Sequence, residues 1–247
     1  MFAALRTARG VLRSLRIYYG GKHDSSAMDR LYCRFVKPGD VVFDVGAHVG
    51  DRIAAFRRLG ARVIACEPNP PLVKTLRLLY GRDRNVTIEP VAVGAAAGEL
   101  PMQINVDNPT VSTASAAFVA ASRGAPGWQG QVWGKTITVG VTTLDALIAR
   151  HGRPAFIKID VEGYEAEALA GLSDAVPALS FEFTTIQREV AHACLRRCAA
   201  LGYTRYNAAL GESQQLAHED WQSAAAIGAW LEALPPEANS GDVYAAR

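Results

Sequence analysis

The chain has 247 residues, 49% of them apolar, with 26 basic and 24 acidic side chains and a net charge of +2. That length fits one large α/β domain with a sizeable core, and four cysteines (Cys33, Cys66, Cys194, Cys198) do not make a disulfide scaffold in a chain this long. The balanced charge gives no electrostatic case for nucleic acid as a partner, and no stretch reaches the roughly 18 to 20 apolar residues of a membrane span.

Residues 1–36 are predicted to be helical, with a break at Gly20-Gly21. Arg6, Arg9, Arg13 and Arg16 are scattered through the first stretch, whereas a secretory signal keeps its basic residues ahead of a clean apolar run. The expected location is therefore cytoplasmic. This basic amphipathic helix suits a membrane surface or an anionic partner, but the commoner fate of such a segment is to pack on its own domain or on a second copy in a homodimer. Leu31, Tyr32, Phe35 and Val36 are spaced to cover one face of the domain, and Lys37-Pro38-Gly39-Asp40 is a turn that starts the sheet.

Val41-Val42-Phe43-Asp44-Val45 reads as a buried strand. Gly46-Ala47-His48-Val49-Gly50 follows it, and residues 51–59 are spaced like a helix. Strand, glycine turn and helix open a nucleotide-binding unit, with glycine allowing a ligand close to the backbone and the helix pointing free N–H groups into the turn. The dinucleotide pattern G-x-G-x-x-G is absent, which argues against a nicotinamide-dependent oxidoreductase. Asp44-x-Gly46-x-x-x-Gly50 instead looks like motif I of S-adenosylmethionine-dependent methyltransferases. A strand-end carboxylate suits a ligand with a cationic tail and would repel a pyrophosphate.

Residues 61–67 form a second apolar strand ending in Glu67, about 20 residues past the first glycine, where an acid accepts hydrogen bonds from ribose hydroxyls. Asn69-Pro70-Pro71 resembles the N-P-P motif of amino-group methyltransferases, but it follows the second strand and lacks the closing aromatic, so it reads as a turn into a helix over 72–80 with Leu72, Leu76 and Leu79 on one side. A third strand ends near Glu89. Val91 and Ala92 in the loop after it suit the flat face of an adenine ring, or form a plain connection.

Residues 95–140 break the rhythm. A short strand is expected at 100–105, then a variable loop at about 105–135 whose Trp128 and Trp133 either stack on an acceptor or act as a lid, or else pack onto the core. After a strand-like run at 136–141 and a threonine-capped helix, Phe156, Ile157 and Ile159 mark a central strand with Asp160, Glu162 and Glu165 crowding its carboxyl end. Asp160 falls too early to be a helix-dipole acid, whereas Glu165 and Glu167 fit that role. Further strands are read at 178–183, 202–207 and 241–246, with a helix at 187–201 between the first two. Cys194 and Cys198, near His192, read as ordinary helix-face cysteines.

The chain resembles the FkbM-type S-adenosylmethionine-dependent methyltransferases. Four segments match in order: Phe43-Asp44-Val45-Gly46-Ala47-His48-Val49-Gly50, Glu67-Pro68-Asn69, Thr143-Leu144-Asp145 and Lys158-Ile159-Asp160-Val161-Glu162-Gly163-Tyr164-Glu165. The last carries the most specific pattern, K-x-D-x-E-G-x-E, and Val91-Ala92-Val93-Gly94 is a weaker match. His48 and Pro90 stand where the family more often has Asn. The resemblance implies a Rossmann-like class I methyltransferase fold over residues 37–247. That is an α/β fold with a mostly parallel seven-stranded sheet, a late antiparallel strand pair and helices on both faces, preceded by the helical extension 1–36.

The same resemblance implies S-adenosylmethionine as cofactor, and a hydroxyl of a sugar, glycolipid or secondary metabolite as acceptor. It implies Asp44, Gly46 and Gly50 around the methionine end, Glu67 at the ribose, Ala92 beside adenine, and Ala47, His48 and Pro68 as further cofactor-binding residues. Asp160 would sit at the methyl-transfer centre, with Glu162 orienting the acceptor or serving as its base. His151 and His192 are lesser base candidates. Asp160 and Glu162 alone are too few ligands to favour a divalent metal. A non-catalytic protein that keeps the pocket is the alternative.

Overall fold

The computed structural model describes residues 2–20 and 25–247. The elements in chain order are α1 (Phe2–Tyr19), α2 (Ser25–Tyr32), β1 (Val41–Val45), α3 (Asp51–Arg58), β2 (Arg62–Cys66), α4 (Pro70–Tyr80), β3 (Val86–Glu89), β4 (Ala92–Val93) and β5 (Gly98–Ile104). They continue with α5 (Ala116–Ser122), β6 (Lys135–Thr142), α6 (Leu144–His151), β7 (Phe156–Ile159), α7 (Glu165–Ala170), β8 (Ala178–Thr184), α8 (Arg188–Ala200), β9 (Arg205–Leu210), α9 (Ala224–Ala233) and β10 (Ser240–Ala246). Of the predicted break at Gly20-Gly21, Gly21 lies outside the described residues.

The main sheet has seven strands in the order β3-β2-β1-β7-β8-β10-β9. All neighbouring pairs from β3 to β8 are parallel, and β10 runs antiparallel to both β8 and β9. The order reverses between β1 and β7, and in open α/β sheets the crevice at such a switch point takes the ligand. The strand alternation is strict. Phe43, Val45, Ile157 and Ile159 enter the core on one face, with Leu144, Leu169 and Leu195 of the helices. Val42, Val63 and Phe156 enter the core on the other face, with Tyr32 and Phe56. Phe35 stacks on Phe156 and Tyr244 there, so the predicted covering role of residues 31–36 holds.

The rhythm break at 95–140 has a structural reason. β4, β6 and β5 form a separate three-stranded sheet beside the main one, with residues 105–134 spanning the gap between β5 and β6. Trp128 meets Phe118 edge-on at 4.9 Å, and Trp133 donates from Nε1 to the Val111 carbonyl at 2.7 Å. Both tryptophans therefore pack the insertion's own small core. On α4, Leu72, Val73 and Leu76 are buried, whereas Leu79 is half exposed: the buried stripe is shifted from the one predicted because Tyr80 turns toward Gly50.

Candidate active site

β1 ends in the glycine turn, which is fixed by close packing. The N–H groups of Gly46 and Ala47 both donate to the Cys66 carbonyl at 2.9 and 3.0 Å, tying the turn to β2. Gly46 has φ +88°, and a Cβ there would land on the Asp160 carbonyl oxygen, so only glycine lets β1 and β7 converge. Gly50 has φ +87° and lies under Tyr80 at the start of α3.

Beside this turn opens a cleft of about 880 Å³, counted out to its open mouth. Gly46, Ala47, His48, Glu67, Pro68, Ala92, Asp160 and Glu162 all line it. Asp44 and Gly50 do not. Asp44 is buried behind the turn beside Lys158, its partner in the β1–β7 register. His151 and His192 also lie outside the cleft, paired with Glu89 at 2.8 Å and Glu232 at 2.6 Å.

Glu67 is buried at the end of β2, with Oε2 accepting from the His48 N–H at 2.9 Å and Oε1 from the Asn69 N–H at 2.8 Å. Burial pushes its carboxyl up to about 8 against the pull of those two N–H groups. Each oxygen keeps a further lone pair for a hydroxyl. The site's carboxylate is thus pre-oriented by the backbone that surrounds the cleft.

At the end of β7, Lys158 is 1% exposed, and its Nζ lies 2.6 Å from Asp160 Oδ2 and 3.8 Å from Asp242 Oδ1. Burial works against the Lys158 charge, yet Asp160 and Asp242 hold it well above the usual lysine range. Burial likewise pushes Asp160 up, but the charge and hydrogen bond of Lys158 outweigh it and leave the carboxyl below its usual value. Glu162 goes the other way: burial and then the charges of Asp160 and Glu165 drive it far up. Its φ of +56° places it just past the strand, with its carbonyl accepting from Thr113 Oγ1 at 2.6 Å. Glu182, on the neighbouring β8, is driven up by burial and by Asp160 and Glu162. One oxygen each from Asp160, Glu162 and Glu182 lie within 4.8 Å of one another, so a third carboxylate joins the two read from sequence, a donor set of the kind hard cations use.

The far wall was not foreseen. Tyr18 of α1 lines the cleft and meets the His48 ring edge-on at 5.3 Å, while Ser14 Oγ lies 3.1 Å from His48 Nε2. Burial lowers the pKa of His48. Arg52 lines the same side and is held by Asp51 and, at 2.7 Å, by Glu212. Pro109, Thr110, Ser112 and Ala114 bring the insertion to the cleft mouth.

The sequence pattern of the methyltransferase FkbM domain matches residues 44–204, more than half of the chain. The chain belongs to this family. It is 26% identical over 166 residues to the hexuronic acid methyltransferase AglP of Haloferax volcanii, covering 65% of this chain and 62% of that one. It is 33% identical over 171 residues to the 31-O-demethyl-FK506 methyltransferase FkbM of Streptomyces tacrolimicus, covering 60% of this chain and 66% of that one. The matched stretch thus spans just under two thirds of each relative's length. In fold it is similar to a TehB-like SAM-dependent methyltransferase of Corynebacterium glutamicum, with a TM-score of 0.51 at 10% identity over 99% of both chains. The FkbM domain match begins at Asp44, so Tyr18 and Ser14 belong to a wall that the family pattern does not include.

Proposed function

We propose that the protein transfers a methyl group from S-adenosylmethionine to a hydroxyl of a sugar, glycolipid or secondary metabolite. The observation that carries this reading is the convergence of the Gly46 turn, Glu67 and Asp160 on one cleft at the sheet's switch point. The residues fit the cofactor. The turn is held tight against β7, Glu67 once ionised can accept both ribose hydroxyls, and Ala92 offers apolar surface for adenine. When bound, the cofactor supplies an electrophilic methyl on a sulfonium.

This chain's residues then have to orient, discharge and shield. Asp160, kept ionised by Lys158, would offer the bound cofactor a fixed negative charge. Glu162 has the stronger pull on a proton and, once ionised, takes the proton of the acceptor hydroxyl, for which it must reach that oxygen directly or through one water. Tyr18 closes the wall beside His48, and Pro109, Thr110, Ser112 and Ala114 line the cleft where the variable insertion would choose the substrate. A divalent cation on Asp160, Glu162 and Glu182 is the second reading for proton removal, favoured by the spacing of their oxygens.

Calorimetric titration with S-adenosylhomocysteine, with NAD as control, tests the cofactor. Micromolar binding of the first alone supports transfer chemistry, and screening of hydroxylated sugars and metabolites follows. Binding of neither leaves a protein that keeps the fold without the activity.

A further inference from the structure

α1 lies along α4 at the edge of the domain. Thr7 lines a crevice with Pro70 and Pro71 at one end, and at the other the Tyr19 and Tyr80 hydroxyls lie 2.6 Å apart. The inward face of α1 carries Gly10, packed against the Val106 carbonyl, and Ser14 and Tyr18 at the cleft. Its outward face carries Leu5, Leu12 and Ile17, exposed at 54%, 63% and 46%, interleaved with Arg9, Arg13 and Arg16. The adjoining α4 exposes Leu78 at 86% and Leu79 beside Lys74 and Arg77. Among the described residues, six of the eight large apolar side chains left exposed lie on these two helices. Neither helix contains an acid, and Arg9, Arg13 and Arg16 have no ion-pair partner among the described residues.

We infer that the outer face of α1, continued by α4, docks on an anionic lipid bilayer, with α1 lying in the plane of the interface. Two features select this occupant. The unpaired arginines need negative charge opposite them, and the leucines among them gain only from an apolar medium. A nucleic acid would satisfy the arginines and leave Leu5, Leu12 and Leu78 in water. A bilayer satisfies both, with headgroups meeting the guanidiniums and the acyl boundary taking the leucines. No helix among the described residues is long and apolar enough to cross a membrane, so the contact is peripheral. Because Tyr18 projects from the opposite side of α1 into the cleft, docking brings the cleft to the bilayer surface.

Co-sedimentation of the full chain with vesicles tests this. Binding is expected to vesicles of phosphatidylcholine and phosphatidylglycerol in equal parts, not to phosphatidylcholine alone, and to weaken as salt shortens the Debye length below about 8 Å. Replacing Arg9, Arg13 and Arg16 together by Gln lowers the partition about a hundredfold, at the scale of one headgroup interaction per arginine. Leu12→Asn with Leu78→Asn lowers it while leaving the salt dependence in place. These side chains are exposed, and an unchanged melting temperature checks that the variants fold. Wild-type protein that stays in the supernatant, or an arginine variant that sediments equally, overturns the inference. So does a dimer in solution that Leu12→Asn disperses when no vesicle binding is found.

Discussion

Lys158 and Asp160 stand two residues apart at the end of β7, with Nζ 2.6 Å from Oδ2, and the lysine is buried while its partner faces the cleft. A lysine buried this deeply stays charged only because Asp160 and Asp242 surround it. Replacing it by Met leaves Asp242 buried, and Asp160 at the cleft, without their cation. Loss of one partner of a buried pair costs about 3 to 5 kcal/mol, so Lys158→Met is expected to lower the unfolding free energy from urea titration by that much. A loss within experimental error would mean that the two acids need no cation.

The approach of β1 to β7 rests on Gly46. Gly46→Ala adds both a positive-φ penalty and a collision with the Asp160 carbonyl. Gly39, at φ +90° with open space around its Cβ position, isolates the first of these. Gly39→Ala should cost about 1 kcal/mol, and Gly46→Ala clearly more, with loss of S-adenosylhomocysteine binding. Equal thermal shifts in the two variants would remove the collision from the account.

The parallel half of the sheet was legible because each strand is a short apolar run capped by a glycine or an acid. Glu67 and Asp160 could be placed from that punctuation alone. Lys158 was visible too, since a period of two sets it on the same side as Asp160, but a lysine inside an apolar strand gives no hint of its partner Asp242, far along the chain. Asp44 shows the limit of a motif. Its residue type and spacing match, yet its side chain is buried beside Lys158 and does not line the cleft. Tyr18 and Glu212 reach the site from segments distant in sequence, and α9, rich in alanine, carries too weak an apolar pattern to announce itself. The tryptophans of the insertion were ambiguous for a different reason: an aromatic pair in a glycine-rich stretch serves a lid and a small core equally well.

Burial raises Asp44 to about 7, Glu165 to about 7 and Glu67 to about 8, whereas in an unfolded chain these groups ionise near pH 4. The folded state therefore binds more protons across that interval. The contribution is complete below about pH 4 and is lost as pH rises through 7 and 8. His48, lowered by burial, acts in the opposite sense, and its contribution is complete above roughly pH 6.5. Urea midpoints should accordingly fall from pH 6.5 to pH 8, as the unfolding free energy drops by up to about 1.4 kcal/mol per pH unit for each carboxyl still protonated in the fold. Glu67→Gln should flatten the upper part of that decline. Midpoints that rise over the interval would contradict the protonated state of these acids.

Tyr18 carries the contribution of α1 to the site. Its ring covers His48 edge-on at the cleft wall. Tyr18→Ala opens that wall and should weaken S-adenosylhomocysteine about tenfold, the equivalent of about 1.4 kcal/mol. Thermal stability should change little, because Gly10 and Ser14 still anchor the helix. Unaltered affinity in calorimetry would make α1 a bystander to the site.

The two acids at the end of β7 should separate in kinetics. Asp160 is low and paired with Lys158, Glu162 is high and unpaired by any cation, and they lie close enough for their charges to act on each other. On the proposed reading Asp160 supplies the fixed charge at the methyl-transfer centre, so in Asp160→Asn transfer should stop while S-adenosylhomocysteine still binds. Glu162→Gln removes a proton acceptor, and the rate should fall by about 10² to 10⁴, with the alkaline rise of the pH–rate profile lost as well. If a divalent cation removes the proton instead, added chelator should abolish turnover of the wild type and Glu182→Gln should behave like Glu162→Gln. Full activity in Glu162→Gln at every pH, with or without chelator, would leave Asp160 as the single working acid of the pair and make Glu162 a support for the turn that Thr113 already holds.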